Sequence, residues 1–256
     1  MFRKSVEFSL RVAASAAWRT SKRLRSRRDF VAQRGQAAAN RKNPNAVYIW
    51  IPKTAGTSLN CILTACGGQT LLCVDDVKRH FANRGIVTFG HLSLMDLNRD
   101  HLVSDAFMET SWKFAYVRNP FDRAVSLFEY LRRVGTLPMA TTFSIFCHYL
   151  RDEAYDAIGL YNHRGLNQLN PQVAWMTGDD GAILADFVGR FESFEADSRT
   201  VFEKLGVPDS MQRIERTNAT ERSHIGSYYG DAEVEIIQRA YRSDFESFHY
   251  SLTPYW

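Results

Sequence analysis

The chain has 256 residues, 45% of them hydrophobic and 13% aromatic, enough to bury a substantial core in one large domain or two small ones. Its net charge of +4 hides a division: residues 1–42 carry twelve Lys and Arg against Glu7 and Asp29, and subtracting that +10 leaves −6 for the remainder. The basic balance therefore belongs to an N-terminal arm, and the acidic body argues against a broad nucleic-acid face.

Within the arm, Phe2, Val6, Leu10, Ala13 and Ala17 fall on one helical stripe among basic residues. That pattern suits an anionic membrane surface or an organelle transit peptide, with a solvated tail as the plain alternative. The uncharged run at 12–18, "VAASAAW", is too short and too weakly apolar for a secretory signal, and no segment reaches the roughly 18 apolar residues that cross a bilayer. The four cysteines form no CxxC pair and have no zinc-finger spacing, so free thiols in a reducing compartment are expected and a metal is not.

After "NRKNPN" the sequence alternates strand and helix signals. Residues 47–51 read as a strand. Residues 57–66 read as a helix with Leu59, Ile62, Leu63 and Cys66 on one face, stopped by "GG". Further strands are expected at 71–74, 86–89, 113–117 and 187–191. Strands separated by helical segments predict an α/β fold with a mostly parallel sheet covered on both faces.

Between the first strand and helix stands "IPKTAGTSL". Thr57 and Ser58 sit where helix-terminal amides lack partners, Gly56 permits close backbone approach, and Lys53 adds a full charge, so the junction suits an anion. A P-loop has its lysine after the glycine; here it comes before, which separates the motif from ordinary nucleotide loops. Taken alone, the segment is equally readable as a capped helix beside a surface lysine. A second strand-to-helix junction, "YVRNPFDRAVSLF", changes the weighing. Asn119 is a good N-cap, Pro120 a good first helical residue, Phe121, Val125, Phe128 and Leu131 an apolar stripe, and Gly135 a stop. Arg118 stands at its edge, and in open α/β sheets the carboxyl ends of strands face one crevice.

Together the two junctions resemble the paired cofactor motifs of the carbohydrate sulfotransferases, in the branch of heparan sulfate 2-O-sulfotransferase-like and related bacterial enzymes. More thinly, "FGHLSLMDL", "NPQVAWMTGDD", "FVGRFESFEAD" and "AYRSDFESFHY" look like segments of the same family. The resemblance implies a P-loop-like three-layer fold over residues 43–256, with residues 1–42 as an appended arm. It implies 3′-phosphoadenosine 5′-phosphosulfate (PAPS) as sulfuryl donor without a metal, and a carbohydrate or glycolipid acceptor. By motif position, Lys53, Thr54, Ala55, Gly56, Thr57 and Ser58 form the 5′-phosphosulfate loop, and Arg118 with Ser126, eight residues on, binds the 3′-phosphate. His91, in the Gly-His segment after a strand, is implied as general base and Lys53 as partner of the oxygen bridging sulfur and phosphorus. Arg222 and Ser223 are nominated for a loop over the adenosine. His80, His101, His163, Asp75 and Asp76 have no motif behind them. The anchor of Golgi relatives has no counterpart, which favours a cytoplasmic enzyme, peripheral to a membrane at most. The alternatives are a P-loop-type nucleotide kinase, or a membrane- or nucleic-acid-binding protein with a degenerate enzyme body.

Overall fold

The apolar runs become five parallel strands. In the computed structural model, which describes residues 42–90, 92–153, 163–212 and 223–256, they are β1 (Ala46–Trp50), β2 (Gln69–Leu71), β3 (Ile86–Gly90), β4 (Trp112–Val117) and β5 (Phe187–Arg190). The sheet order is β2-β3-β1-β4-β5, and every pairing is parallel. The α/β expectation holds, with a sheet wholly rather than mostly parallel among the described residues. Four strands fall within one residue of the expected boundaries, and one differs by more. The apolar run at 71–74 was expected to be a strand, but Leu72 leaves the sheet and Val74 already begins a helix whose first turn carries Asp75 and Asp76, acids that favour a helix N-terminus. The strand instead extends back to Gln69 and Thr70, paired with Val87 and Thr88.

The described helices are α1 (Gly56–Ala65), α2 (Val74–His80), α3 (Leu94–Arg99), α4 (Asp105–Thr110), α5 (Pro120–Arg133), α6 (Phe143–Arg151), α7 (Phe194–Leu205), α8 (Asp231–Ala240) and α9 (Arg242–Ser247). Alternation along β1 divides them between the faces. Ala46, Tyr48 and Trp50 pack with Leu59, Ile62 and Leu63 of α1 and Val201, Phe202 and Leu205 of α7. Val47, Ile49 and Ile51 pack with Val77, Leu94, Leu97 and Phe107 of α2, α3 and α4. These are three layers. A further apolar cluster joins α5, α6, α8 and α9 through Phe121, Phe128, Phe146, Ile237 and Phe245. All four cysteines are free thiols; only Cys147 is buried, and Cys61 is exposed on α1.

The strand order has a consequence for function. From β1 the chain turns to β2 and β3 on one side, then crosses to β4 and β5 on the other. The reversal falls between β1 and β4, and crevices of this kind open at the carboxyl ends of the two strands. Both motif-bearing junctions leave the sheet there.

Candidate active site

At the β1–α1 junction the helix starts bare. Its N-cap is Ala55, with no side-chain cap and no acid in the first turn. Thr57 and Ser58 therefore lie inside the first turn rather than at its cap. Lys53 and Ala55 both adopt left-handed backbone, φ 71° and 68°, unusual for side-chain-bearing residues and a cost of the order of 1–3 kcal/mol each. The Thr54 side chain is buried and donates to the Ile51 carbonyl at 2.9 Å, so only its backbone is turned to the loop's purpose. Gly56 has a packing reason: a Cβ there would stand 1.9 Å from Trp50 Nε1, because the indole lies over it. Lys53 Nζ rests 4.5 Å from the centre of the Tyr130 ring. Burial first, then the charges of Arg133 and Arg118, push its ammonium down to about 8.

The β4–α5 junction is the opposite, closed by side chains. Asn119 caps α5 by accepting from the Phe121 amide, with Pro120 following, as expected. Arg118 is buried. Its Nε donates to Asp122 Oδ2 at 2.6 Å, its Nη1 donates to the Lys53 carbonyl at 3.2 Å, and its guanidinium lies 3.9 Å from the centre of Phe191. The Lys53 carbonyl thus joins the two junctions. Asp122, Ser126 and Tyr130 follow at four-residue spacing and share a face of α5. Since Asp122 holds Arg118 and Tyr130 carries Lys53, the buried Ser126 lies in the row between them.

Behind this row is a support that sequence reasoning missed. Gln172 accepts from the Arg118 amide and donates to the Arg118 carbonyl, both at 2.8 Å. Asp244, fully buried, accepts from Gln172 N, Gln172 Nε2 and Val173 N. Burial pushes its carboxyl up, opposed by Arg123 and by these donors. Glu192 accepts from the Asn119 amide at 2.7 Å and from Tyr250 Oη at 2.9 Å. The segments "NPQVAW", "FVGRFES" and "AYRSDF" each supply one member; their polar residues among apolar neighbours were the available signal.

The other expected residues divide. Ser223 is exposed, near Tyr228, whose hydroxyl donates to Glu129 of α5 at 3.0 Å. His91, Arg222 and the arm through residue 41 lie outside the described residues. His91 directly follows Gly90, which pairs in register with Trp50 at the end of β1. Of the residues without motifs, His163 Nε2 lies 3.4 Å from Asp100 Oδ2, and Asp75 pairs with Arg79 on the surface. Among the described residues no cluster of His, Cys, Asp and Glu is arranged for a metal ion, and no helix is long and apolar enough to cross a membrane.

A parallel α/β sheet with two cationic junctions at its switch point is the architecture of the open-sheet α/β class. Comparison with family profiles matches residues 38–251 to the sulfotransferase family. The chain belongs to that family. Comparison with curated protein sequences finds no match. Among solved structures, it is similar to the crystal structure of mouse sulfotransferase SULT7A1 complexed with PAP, at 15% identity and a TM-score of 0.40, covering 80% of this chain. It spans 66% of that chain's length.

Proposed function

We propose that the chain transfers a sulfuryl group from PAPS to a hydroxyl of a carbohydrate, whether glycan, polysaccharide or glycolipid. The observation that carries this reading is the bond from Arg118 Nη1 to the Lys53 carbonyl, which joins two cationic junctions 65 residues apart in sequence. A nucleotide with phosphate at the 3′ position and phosphosulfate at the 5′ position needs two anion sites at a fixed spacing. A kinase loop would need a lysine after the glycine, where this chain has Thr57.

In this reading the bare start of α1, with Lys53 through Ser58, takes the phosphosulfate, and Arg118 with Ser126 takes the 3′-phosphate. Asp122 already neutralises part of Arg118, so the site favours phosphate by the placement of the guanidinium more than by net charge. Transfer forms a bond from the acceptor oxygen to sulfur as the sulfur–oxygen bond to phosphate breaks. The acceptor proton passes to a base, assigned to His91, and Lys53 meets the charge developing on the departing phosphate. Arg222 and Ser223 are assigned to the adenosine side. The carbohydrate class rests on the motif resemblance. The arm is assigned a peripheral contact with anionic membrane, at a cytoplasmic face.

The test is incubation with PAPS labelled in the sulfuryl group and a panel of polysaccharide and lipid extracts, beside thermal shift with PAP and with ATP–Mg²⁺. Label in a glycan or glycolipid, with stabilisation by PAP alone, is the expected result. Stabilisation by ATP–Mg²⁺ and not by PAP would replace this reading with the kinase.

A further inference from the structure

Arg123 is the most deeply buried cation among the described residues: its exposure is 0%. A buried guanidinium is costly unless its donors are satisfied. No carboxylate among the described residues bonds it directly. Instead Nε donates to the Pro52 carbonyl at 3.2 Å, Nη1 to the Asn170 carbonyl at 3.1 Å and Nη2 to the Gln168 carbonyl at 2.8 Å. The Tyr241 ring lies 5.5 Å from its carbon, and Asp244 supplies a nearby opposing charge. Planar forks with several donors can span separate backbone segments in this way; a lysine cannot.

The carbonyl at Pro52 is one of three in succession. Ile51 accepts from Thr54, Pro52 from Arg123 and Lys53 from Arg118. A trans peptide is planar, so each carbonyl points opposite to the amide that follows it. Holding the Pro52 and Lys53 carbonyls against the two arginines therefore turns the Lys53 and Thr54 amides the other way. Left-handed backbone at Lys53 and Ala55 continues the same turn into the uncapped start of α1. Successive amides aimed to one side of such a turn form an anion-binding nest.

We infer that Arg123 is the positioning residue of the 5′-anion site: by holding the Pro52 carbonyl it aims the Lys53 amide at the ligand, without touching the ligand itself. This rests on the donor reading above and adds a residue to it. Its division of labour with Arg118 is distinct. Arg118 stands at the junction assigned to the 3′-phosphate; Arg123 acts only through the loop.

The experiment measures affinities of the full chain for PAP, AMP and adenosine 3′-phosphate, in wild type and in Arg123→Lys, which keeps the charge and loses the fork. The variant is expected to bind PAP and AMP about tenfold more weakly while adenosine 3′-phosphate changes by about threefold or less. Equal losses for all three ligands, or none, would overturn the clamp. Should the variant fail to fold, the wild type still decides. The Arg123 Nε–H resonance, held on the loop, is expected to shift on adding AMP and to stay in place with adenosine 3′-phosphate. No shift with either, or the same shift with both, would overturn the assignment. A wild type that binds none of the three ligands would sink the donor reading itself, whereas PAP binding with an indifferent Arg123→Lys would sink only the clamp.

Discussion

The two junctions at the sheet's switch point are built on opposite plans. The β1–α1 loop leaves its helix start without a side-chain cap or a first-turn acid and holds its backbone in two left-handed residues. The β4–α5 junction is capped by Asn119, starts on Pro120 and locks its arginine against Asp122, Phe191 and Gln172. An open helix end offers amides and a dipole but no rigidity; a closed one offers rigidity and one placed side chain. The contact between them, Arg118 to the Lys53 carbonyl, lets the closed junction hold the open one. In the proposed reading the recognition groups are mainly backbone on one side and side chain on the other, and substitutions are expected to read out differently on the two.

The largest expected effect is at Lys53, the full charge on the open junction. Lys53→Ala is expected to lower kcat by about 10²–10³-fold, the scale of removing one transition-state charge donor, and to weaken donor binding as well. Calorimetry with PAP beside turnover with a competent acceptor separates the two. Unaltered turnover would remove Lys53 from the chemistry. His91→Ala is the counterpart: kcat is expected to fall by about 10²-fold or more with PAP affinity nearly unchanged, because a base for the acceptor need not touch the nucleotide.

Arg118→Ala comes next and tests whether the closed junction has two duties. Loss of charge-assisted bonds to a 3′-phosphate predicts PAP affinity down by about 10–100-fold. Because the same guanidinium holds the Lys53 carbonyl, AMP is expected to lose affinity too, by a smaller factor. Equal losses for both nucleotides would leave Arg118 with the scaffold duty alone.

How much of this was legible in sequence follows the same division. Periodicity and capping rules gave α5 nearly to the residue, because Asn119, Pro120, the apolar stripe and Gly135 are local signals; Gly135 indeed has left-handed backbone, φ 73°. The two junctions and their motif residues were legible for that reason. The residues that tie them together were not. Gln172 meets Arg118 across 54 positions and Asp244 meets Gln172 across 72, and no local pattern encodes a partner at that range. β2 differs from its expected range by two residues at its start and three at its end, because the apolar run continues past the point where pairing with β3 ends. Arg123 stands within the segment "RNPFDRAVS", yet an arginine on an amphipathic helix reads as surface until its burial is seen.

A smaller effect, on stability, tests what Gly56 is for. If the residue is glycine because the Trp50 indole lies over it, Gly56→Ala forces the ring out of place and is expected to cost about 1–3 kcal/mol, the scale of overpacking a core. Combining it with Trp50→Leu, which frees the space, is expected to recover part of that loss. Thermal or urea unfolding of the four proteins in the cycle gives the coupling. Strict additivity would mean that the indole and the glycine do not constrain each other.

The smallest effect is a pH dependence that belongs to the open junction alone. In the free protein burial and neighbouring arginines hold the Lys53 ammonium down to about 8. A bound phosphosulfate or phosphate favours the charged form, so the complex holds its proton to higher pH than the free protein does. In the window above 8 the complex therefore carries more bound protons than the separated partners, and affinity must fall as pH rises through it. Below pH 7 the lysine is charged in both states and contributes no slope; there the second ionisation of the nucleotide phosphate, near 6, takes over. Between pH 7 and 9.5 PAP affinity is expected to fall by about tenfold in the wild type. Lys53→Arg, whose guanidinium does not titrate in this range, is expected to show no such fall even where its affinity is lower. Adenosine 3′-phosphate, which leaves the open junction empty, is expected to be flat with both proteins. A slope shared by wild type and Lys53→Arg would assign the titration to another group and take the depressed lysine out of ligand binding.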